Sequence, residues 1–355
     1  MFDGMKAESV VWGMAEKAVA KMEDFMGTDL SVSVFVAARN EEENLEACLT
    51  ALSAQNFPGT WEVWIADDHS TDRTPEISLH FCSQFSHFHF LQVPNSQNDV
   101  QGKALALGCL AEKATGQIFL VCDADMQMPT GWISAMVSAM SRHKTDLING
   151  TTATDGNNWF SALQAMDWLL PQGTFAWMSR LGITYTAMGN NMGITRKAYE
   201  ATGGYLTLPF SLTEDFELFK HARNKGFRLI HEYDEAVFGI SAPQKSIADW
   251  VTQHVRWMIG FMQLPFSQQW VFYGQLLFYP MLIISLFFNW WPIIWAIYGL
   301  KTLYDGFILS QVKRFRLLLY LPLYEMVWWP SYMWCWVKYG LSSHIVWKGR
   351  SWEKK

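Results

Sequence analysis

Hydrophobic and polar positions follow two alternating patterns in the first part of the chain. Four short apolar runs predict buried strands at residues Ser31–Ala38, 61–66, 88–93 and 118–122. Between them, apolar residues at helical spacing predict helices over 41–54 (capped by Asn40), 75–82 and 103–114. Strands that alternate with helices imply crossover connections and a mostly parallel sheet. The pattern therefore predicts an α/β fold with flanking helices.

Charged residues collect where these predicted strands end: Arg39, Asp67, Asp68, Asp123 and Asp125. The carboxyl ends of parallel strands lie at the same edge of a sheet, and ligands of such folds bind beyond that edge. We therefore expect these side chains to lie close together and to form a ligand site.

The pattern changes completely in the C-terminal part. Residues 258–300 contain no Asp, Glu, Lys, Arg or His, and one membrane-spanning helix needs about 20 apolar residues. The run therefore predicts two crossings, or an interfacial helix and one crossing, with a break at 289–292. Residues 315–341 are a further candidate, in which Glu325 should face the protein interior. The number of crossings stays open between two and four.

These patterns divide the chain into five segments. Residues 1–30 predict an amphipathic helix, packed on the α/β domain or lying on a membrane. The α/β domain follows at 31–245, then an interfacial helix at 246–265, membrane helices at 266–341 and a basic tail at 342–355.

Charge and composition support the same division. The formal charge is −6, but the chain from Met258 onward has nine Lys/Arg against three Asp/Glu, so the first 257 residues carry −12. The acidic part argues against a nucleic-acid partner, whereas the basic part suits anionic lipid head groups. Twelve of the 19 Trp lie in residues 250–355, as expected near a bilayer interface. Five Cys without a C-x-x-C spacing indicate a reducing compartment.

Asp123-Ala124-Asp125 directly follows the fourth predicted strand. Strand alternation turns the two carboxylates to the same side, where they can share a hard cation. Mg²⁺ or Mn²⁺ held there would neutralise a diphosphate. The alternative is a solvated turn or a helix cap.

Two other acidic pairs are candidates. Asp67-Asp68 can hydrogen-bond a base and a ribose, or belong to a turn that caps the next helix. Glu214-Asp215, after Thr213, opens a predicted helix. A carboxylate there can act as a general base towards a hydroxyl, or only complement the helix dipole.

Cationic and aromatic candidates complete the set. Gln253, Arg256 and Trp257 share one helical face. Arg256 offers several donors to a diphosphate, and Trp257 can stack on a sugar or an acceptor, although an amphipathic surface helix has a similar composition. Lys103 can reach a phosphate, or be a solvated lysine at a helix start.

Taken in order over residues 31–262, these segments resemble the family 2 glycosyltransferases, which have the GT-A fold. The matching segments are Ala37-Ala38-Arg39-Asn40-Glu41-Glu42, Asp67-Asp68-His69-Ser70-Thr71-Asp72, Gly102-Lys103-Ala104, Asp123-Ala124-Asp125, Thr213-Glu214-Asp215 and the Q-x-x-R-W motif Gln253-His254-Val255-Arg256-Trp257. The first loop lacks the Pro that commonly precedes Ala-Arg-Asn in the family.

The resemblance implies a nucleoside-diphosphate sugar donor, most often a UDP-sugar, and inversion at the anomeric carbon. Asp215 would be the general base, with Glu214 beside it, and Asp125 with Asp123 would hold the metal. The remaining positions would border the nucleotide, the diphosphate or the acceptor: Ala38, Arg39, Glu41, Asp67, Asp68, Lys103, Ala124, Gln253, Arg256 and Trp257.

The tail Trp347-Lys348-Gly349-Arg350 resembles that of membrane-bound transferases acting on ceramide, hopanoid or carotenoid-type lipids, although Trp352 stands where Tyr is usual. We therefore expect a multi-pass enzyme of the inner (cytoplasmic) membrane that adds one sugar to a membrane lipid on the cytosolic side. The alternatives are a processive polysaccharide synthase and a non-catalytic, membrane-anchored nucleotide-binding scaffold.

Overall fold

The computed structural model describes residues 30–95, 100–209, 211–264, 266–342, 344–347 and 350–353. The amphipathic helix predicted within residues 1–30 therefore lies almost entirely outside the described residues.

The first four strands follow the predicted apolar runs of the sequence, and the other eight described strands were not predicted from it. They are β1 (Ser31–Ala38), β2 (Thr60–Asp67), β3 (Phe88–Gln92), β4 (Ile118–Asp123), β5 (Met126–Gln127), β6 (Leu147–Asn149), β7 (Thr151–Ala153), β8 (Asn191–Thr195), β9 (Leu229–His231), β10 (Phe238–Ser241), β11 (His344–Trp347) and β12 (Arg350–Glu353). Seven of them form the main sheet in the order β3-β2-β1-β4-β8-β6-β9. A smaller sheet has the order β5-β10-β7, and β11 pairs with β12.

The register of the main sheet brings the charged strand ends together. β1 runs parallel to both β2 and β4, with Ala38 opposite Asp67 and Ala37 opposite Asp123. β8 runs antiparallel to both β4 and β6, so the sheet is mixed but mostly parallel, as predicted. The ends of β1, β2 and β4 therefore share one edge.

The helices are α1 (Leu45–Ser53), α2 (Thr74–Gln84), α3 (Gly102–Lys113), α4 (Trp132–His143), α5 (Trp159–Arg180), α6 (Arg196–Thr202), α7 (Glu214–Asn224), α8 (Ile247–Met262), α9 (Phe266–Ile284), α10 (Trp291–Gln311) and α11 (Leu321–Leu341). One predicted boundary is wrong, because Asn40 does not cap α1. Its backbone has a φ of +52°, and its side-chain oxygen accepts a hydrogen bond from the amide of Thr71 at 2.9 Å. Asn40 is thus held by a distant loop, and the helix begins only at Leu45.

Helices cover both faces of the main sheet. In β1, Val34 belongs to the core cluster that includes Leu49 and Trp132. The neighbouring Phe35 points the other way and packs in the cluster that includes Leu107. Burial on both faces explains why the strand is a continuous apolar run and does not alternate with polar residues.

The C-terminal helices pack against α5 and α8. The predicted break at 289–292 is confirmed, since a 3₁₀ turn (Ser285–Phe287) ends α9 and Pro292 lies in the first turn of α10. Glu325 faces the protein interior, as predicted, and accepts a hydrogen bond from Lys301 Nζ at 2.5 Å. Within the described residues, none of the helices combines the length and hydropathy needed to cross a lipid bilayer.

Candidate active site

A cavity of about 760 Å³ lies at the charged edge of the main sheet, and α5, α8 and α11 contribute to its wall. Its lining includes almost every residue singled out in the sequence: Ala38, Arg39, Glu41, Asp68, Lys103, Asp123, Ala124, Asp125, Glu214, Asp215, Gln253, Arg256 and Trp257. We call the part formed by Asp68, Lys103, Asp123, Asp125, Glu214 and Asp215 the acidic end. The part formed by Trp168, Phe175, Trp257, Trp328, Tyr332 and Trp336 is the aromatic end.

Two loops, after β1 and after β2, build one wall of the acidic end. Arg39 donates a hydrogen bond from Nη1 to the carbonyl oxygen of Asp68 at 2.6 Å, and the Asp68 amide donates to the carbonyl of Ala38 at 2.9 Å. The Glu41 amide donates to Thr74 Oγ1 at 2.8 Å. These contacts tie the two loops together and hold Arg39 and Asp68 at the cavity.

The prediction that Asp67 belongs to the site is wrong. Its side chain is 1% exposed, and the residue does not line the cavity. Its Oδ2 accepts hydrogen bonds from the amide of Ser70 at 3.2 Å and from Gln92 Nε2 at 2.9 Å. Because successive residues at a strand end point to opposite sides, only Asp68 of the pair reaches the cavity. Asp67 therefore stabilises the turn.

Asp123 and Asp125 both line the acidic end, as the alternation of their side chains predicts. Asp125 Oδ2 accepts a hydrogen bond from Ser241 Oγ at 3.1 Å. Burial and the neighbouring charge of Asp123 raise the pKa of Asp125 to about 6. The two carboxylates are thus held close enough to repel each other.

This pair fits a hard divalent cation. Oxygen ligands suit Mg²⁺ and Mn²⁺, and Mg²⁺ sites commonly use one or two carboxylates together with substrate phosphates. A cation would also relieve the repulsion that raises the pKa of Asp125. In the described part of the chain, no group of three or more His, Cys, Asp or Glu side chains could hold a metal ion.

Lys103 lies between the two acidic motifs. Its Nζ is 2.5 Å from Asp123 Oδ1 and 3.4 Å from Glu214 Oε1, and it donates to the carbonyl of Gly189 at 3.3 Å. Burial alone would lower the pKa of Lys103, but the charges of Asp123 and Glu214 outweigh burial and raise it. The side chain is therefore not the solvated lysine of the alternative interpretation.

Thr213 precedes α7, and Glu214 and Asp215 open it, as predicted. Asp215 Oδ2 accepts a hydrogen bond from the Gly189 amide at 2.6 Å, and Oδ1 accepts one from the Phe216 amide at 2.8 Å. A Cβ at Gly189 would lie 2.9 Å from the Cβ of Asp215. Gly189 is thus a residue that sequence reasoning missed, and only its lack of a side chain lets Asp215 sit there.

The α8 motif also lines the cavity. Gln253, Arg256 and Trp257 all face the cavity, in agreement with their predicted common face. Arg256 Nη1 donates to the carbonyl of Leu212 at 3.1 Å, which orients the guanidinium beside the start of α7. The Trp257 ring lies 4.8 Å from that of Trp168 in an edge-to-face arrangement.

A buried polar cluster at the aromatic end was also missed. His254 Nε2 lies 2.7 Å from Asp167 Oδ2, and both side chains are 3% exposed. Tyr332 donates to Asp167 Oδ1 at 3.2 Å, and Trp250 Nε1 lies 3.3 Å from Oδ2. Within the sequence, Asp167 is a single acid in an apolar stretch, and that oddity is the signal that could have identified it.

Residues 33–203 match the family model described as glycosyl transferase family 2. A β-monoglucosyldiacylglycerol synthase of Nostoc sp. is 28% identical over 190 residues, which are 53% of this chain and 40% of that protein. An N-acetylglucosaminyltransferase of Rhizobium meliloti is 26% identical over 239 residues, 64% of this chain and 54% of that protein. The chain thus spans about half the length of these relatives.

A solved structure shares the fold. The mannosyltransferase of Pyrobaculum calidifontis in complex with GDP-Man and Mn²⁺ superposes with a TM-score of 0.54 at 18% identity, covering 95% of both chains. The α/β fold with its mostly parallel sheet is therefore GT-A-like, as predicted.

Proposed function

We propose that the chain, whose residues 33–203 match glycosyl transferase family 2, transfers one sugar from a nucleoside-diphosphate sugar to a membrane lipid, with inversion. One observation carries the proposal: Asp68, Asp125, Asp215 and Arg256 line a single cavity that continues into an aromatic end. One cavity would thus have surfaces for the nucleotide, the cation and the apolar acceptor, and it also contains Asp215, the proposed base.

The acidic end offers the groups that a nucleotide sugar needs. Asp68, with the Ala38–Arg39 loop and Glu41, would contact the nucleoside of a UDP-sugar. The buried Nε of Arg39 has no hydrogen-bond partner among the described residues, so a donor remains for a ligand oxygen. Lys103 and Arg256 also line the cavity and would contact the diphosphate.

Asp215 would take the proton of the acceptor hydroxyl, whose oxygen then attacks the anomeric carbon as the diphosphate leaves. The amides of Gly189 and Phe216 fix both carboxylate oxygens of Asp215, and each oxygen keeps a lone pair for the incoming hydroxyl. When bound, Mg²⁺ or Mn²⁺ at Asp123 and Asp125 would neutralise the departing diphosphate. Arg256, held beside the start of α7 by Leu212, would stabilise the same charge.

A lipid acceptor is supported by the apolar surfaces of the C-terminal helices. The aromatic end suits a hydrocarbon chain, and the turn between α9 and α10 exposes five large side chains: Leu286, Phe287, Phe288, Trp290 and Trp291. We call this surface the apolar turn. Phe287 is 82% exposed, and contiguous exposed apolar residues of this kind are typical of membrane contact. We propose that the enzyme acts at the cytosolic face of the inner membrane.

The reaction is tested with purified protein, Mn²⁺ and vesicles that contain dioleoylglycerol. UDP-glucose, UDP-N-acetylglucosamine and GDP-mannose are supplied in turn, and products are identified by mass spectrometry. We expect one donor to give a lipid with a single added sugar, and Asp215→Asn to lower the rate by roughly a hundredfold or more while UDP still binds in calorimetry. A ladder of oligosaccharides would favour a polysaccharide synthase instead. UDP binding without hydrolysis or transfer would favour a scaffold.

Membrane attachment is tested separately by vesicle flotation. We expect Phe287→Ser combined with Leu286→Ser to weaken binding to vesicles of phosphatidylglycerol and phosphatidylethanolamine. Leu79→Ser is the matched control, because Leu79 is an exposed leucine (52%) on α2, in the α/β domain. Equal binding of the double variant and the wild type would refute the role of the apolar turn.

A further inference from the structure

Asp167, His254 and Tyr332 connect three helices at the aromatic end. Asp167 lies on α5, His254 on α8 and Tyr332 on α11, and all three residues line the cavity. One carboxylate thus receives hydrogen bonds from α8 and α11 across the space where these helices meet.

The hydrogen bonds fix the protons of the cluster. His254 Nδ1 lies 2.8 Å from the carbonyl oxygen of Trp250, so Nδ1 must carry a proton. A second proton lies between Nε2 and Asp167 Oδ2, 2.7 Å apart. The imidazole ring is thereby held at both nitrogens, and it cannot rotate without losing a buried hydrogen bond.

The held imidazole in turn contacts the rings of the aromatic end. Its centre lies 4.7 Å from the ring of Trp257 and 5.2 Å from that of Tyr332, both edge-to-face. Trp257 packs edge-to-face on Trp168, the residue after Asp167. The cluster therefore contacts the rings of Trp257 and Tyr332 directly and that of Trp168 through Trp257.

We propose that Asp167, His254 and Tyr332 form a positioning network that shapes the aromatic end to hold the hydrocarbon part of the acceptor, so that its hydroxyl reaches Asp215. This inference rests on the proposed function for the identity of the acceptor. None of these three residues is among those proposed to contact the nucleotide or the diphosphate. Loss of the network therefore weakens acceptor binding, while donor binding stays the same.

The chain contains a matched control pair. His143 Nε2 lies 2.8 Å from Glu232 Oε2, and the Glu232 side chain is 6% exposed. Neither residue lines the cavity. His143→Gln therefore breaks a partly buried carboxylate–imidazole pair elsewhere in the fold, in which the His143 side chain is 21% exposed and Glu232 also pairs with Arg142.

The test compares Asp167→Asn, Tyr332→Phe and His143→Gln. For the first two we expect the KM for dioleoylglycerol in vesicles to rise roughly tenfold or more, while the KM for the nucleotide sugar and the affinity for UDP stay within about twofold of wild type. His143→Gln should change neither KM, even if it lowers the melting temperature of the protein as much as the other two substitutions do. Tyr332→Phe loses only one hydroxyl, so it keeps the test valid if Asp167→Asn fails to fold.

A second measurement does not need turnover. Dioleoylglycerol with a diazirine in one chain is photolysed on the protein, and labelled peptides are mapped by mass spectrometry. We expect labels on α5, α8 and α11 in wild type and His143→Gln, and their loss in Tyr332→Phe. Labelling at these helices without glycolipid formation would reject the proposed reaction and retain the network. Glycolipid formation with labels elsewhere, or a KM for the acceptor unchanged in both variants, would overturn the network.

Discussion

The repulsion between Asp123 and Asp125 predicts that replacing one carboxylate stabilises the metal-free protein. Burial and the charge of Asp123 raise the pKa of Asp125 from 3.8 to about 6. A raised pKa means that the folded state disfavours the ionised carboxylate. Above pH about 6, folding therefore costs free energy that a neutral side chain would not cost. Asp125→Asn keeps the shape of the side chain and removes this cost.

The magnitude follows from the shift. A change of roughly two pKa units at about 1.4 kcal/mol each corresponds to about 3 kcal/mol. Asp125 is partly exposed and shares its titration with Asp123, so we expect a gain of about 1–2 kcal/mol in the free energy of unfolding near pH 8. The cost is absent below pH about 4 and develops between pH about 4 and 6. The gain should therefore be about half as large near pH 5.

Urea denaturation of both proteins at these two pH values, with a chelator present, measures the difference. Mn²⁺ added near pH 8 should raise the unfolding midpoint of the wild type and have little effect on the variant, because the cation needs both carboxylates. Destabilisation of Asp125→Asn at both pH values, or a gain that does not depend on pH, would refute the reasoning.

Asp72→Asn provides a control of opposite sign. Burial acts to raise the pKa of Asp72, but hydrogen bonds from Thr74 and from the amide of Glu42 outweigh it and lower the pKa. The ionised form is therefore the favoured one in the folded state. Asp72→Asn should destabilise the protein near pH 8, with the effect shrinking as the pH falls below about 4.

Three further predictions concern the same cavity. Gly189→Ala places a Cβ 2.9 Å from that of Asp215 and should lower kcat by roughly a hundredfold with unchanged UDP affinity, whereas unchanged kcat would remove Asp215 as base. Lys103→Met leaves Asp123 and Glu214 without their shared cation, so the metal-free melting temperature should fall and Mn²⁺ should restore most of it in thermal scans. Ser241→Ala removes the hydroxyl that donates to Asp125 and should raise the pKa of Asp125 further, which carboxylate NMR titration would detect as a shift above pH 6.

The sequence was sufficient for the first four strands of the main sheet and for most of the acidic end, because both depend on local pattern. Buried strands are apolar runs, and their carboxyl ends carry Asp68 and Asp123 whatever the rest of the fold does. Asp67 could have been excluded by the same logic, since neighbouring residues at a strand end point to opposite sides. The error at Asn40 has another origin, because the loop at Thr71 that holds it is 31 residues away.

The residues that support the site could not be predicted in the same way. Gly189 matters only because it lies against Asp215, 26 residues later. His254 and Asp167 are separated by 87 residues, and each alone is compatible with an ordinary helix position. A pairing between helices is a property of tertiary packing, and it has no periodicity that a single sequence reveals.

Most residues of the acidic end precede most residues of the aromatic end along the polypeptide, although Glu214 and Asp215 follow Trp168 and Phe175. β1, β2 and β4 with their loops are complete by Asp125, whereas Trp257, Trp328 and Tyr332 belong to the last third. Domains generally fold as units during synthesis, with N-terminal ones first. We expect the main sheet, which is complete once β9 has been synthesised, to form with its nucleotide-facing loops while the ribosome is still translating α11. Enclosure of the acceptor would then follow the formation of the nucleotide site.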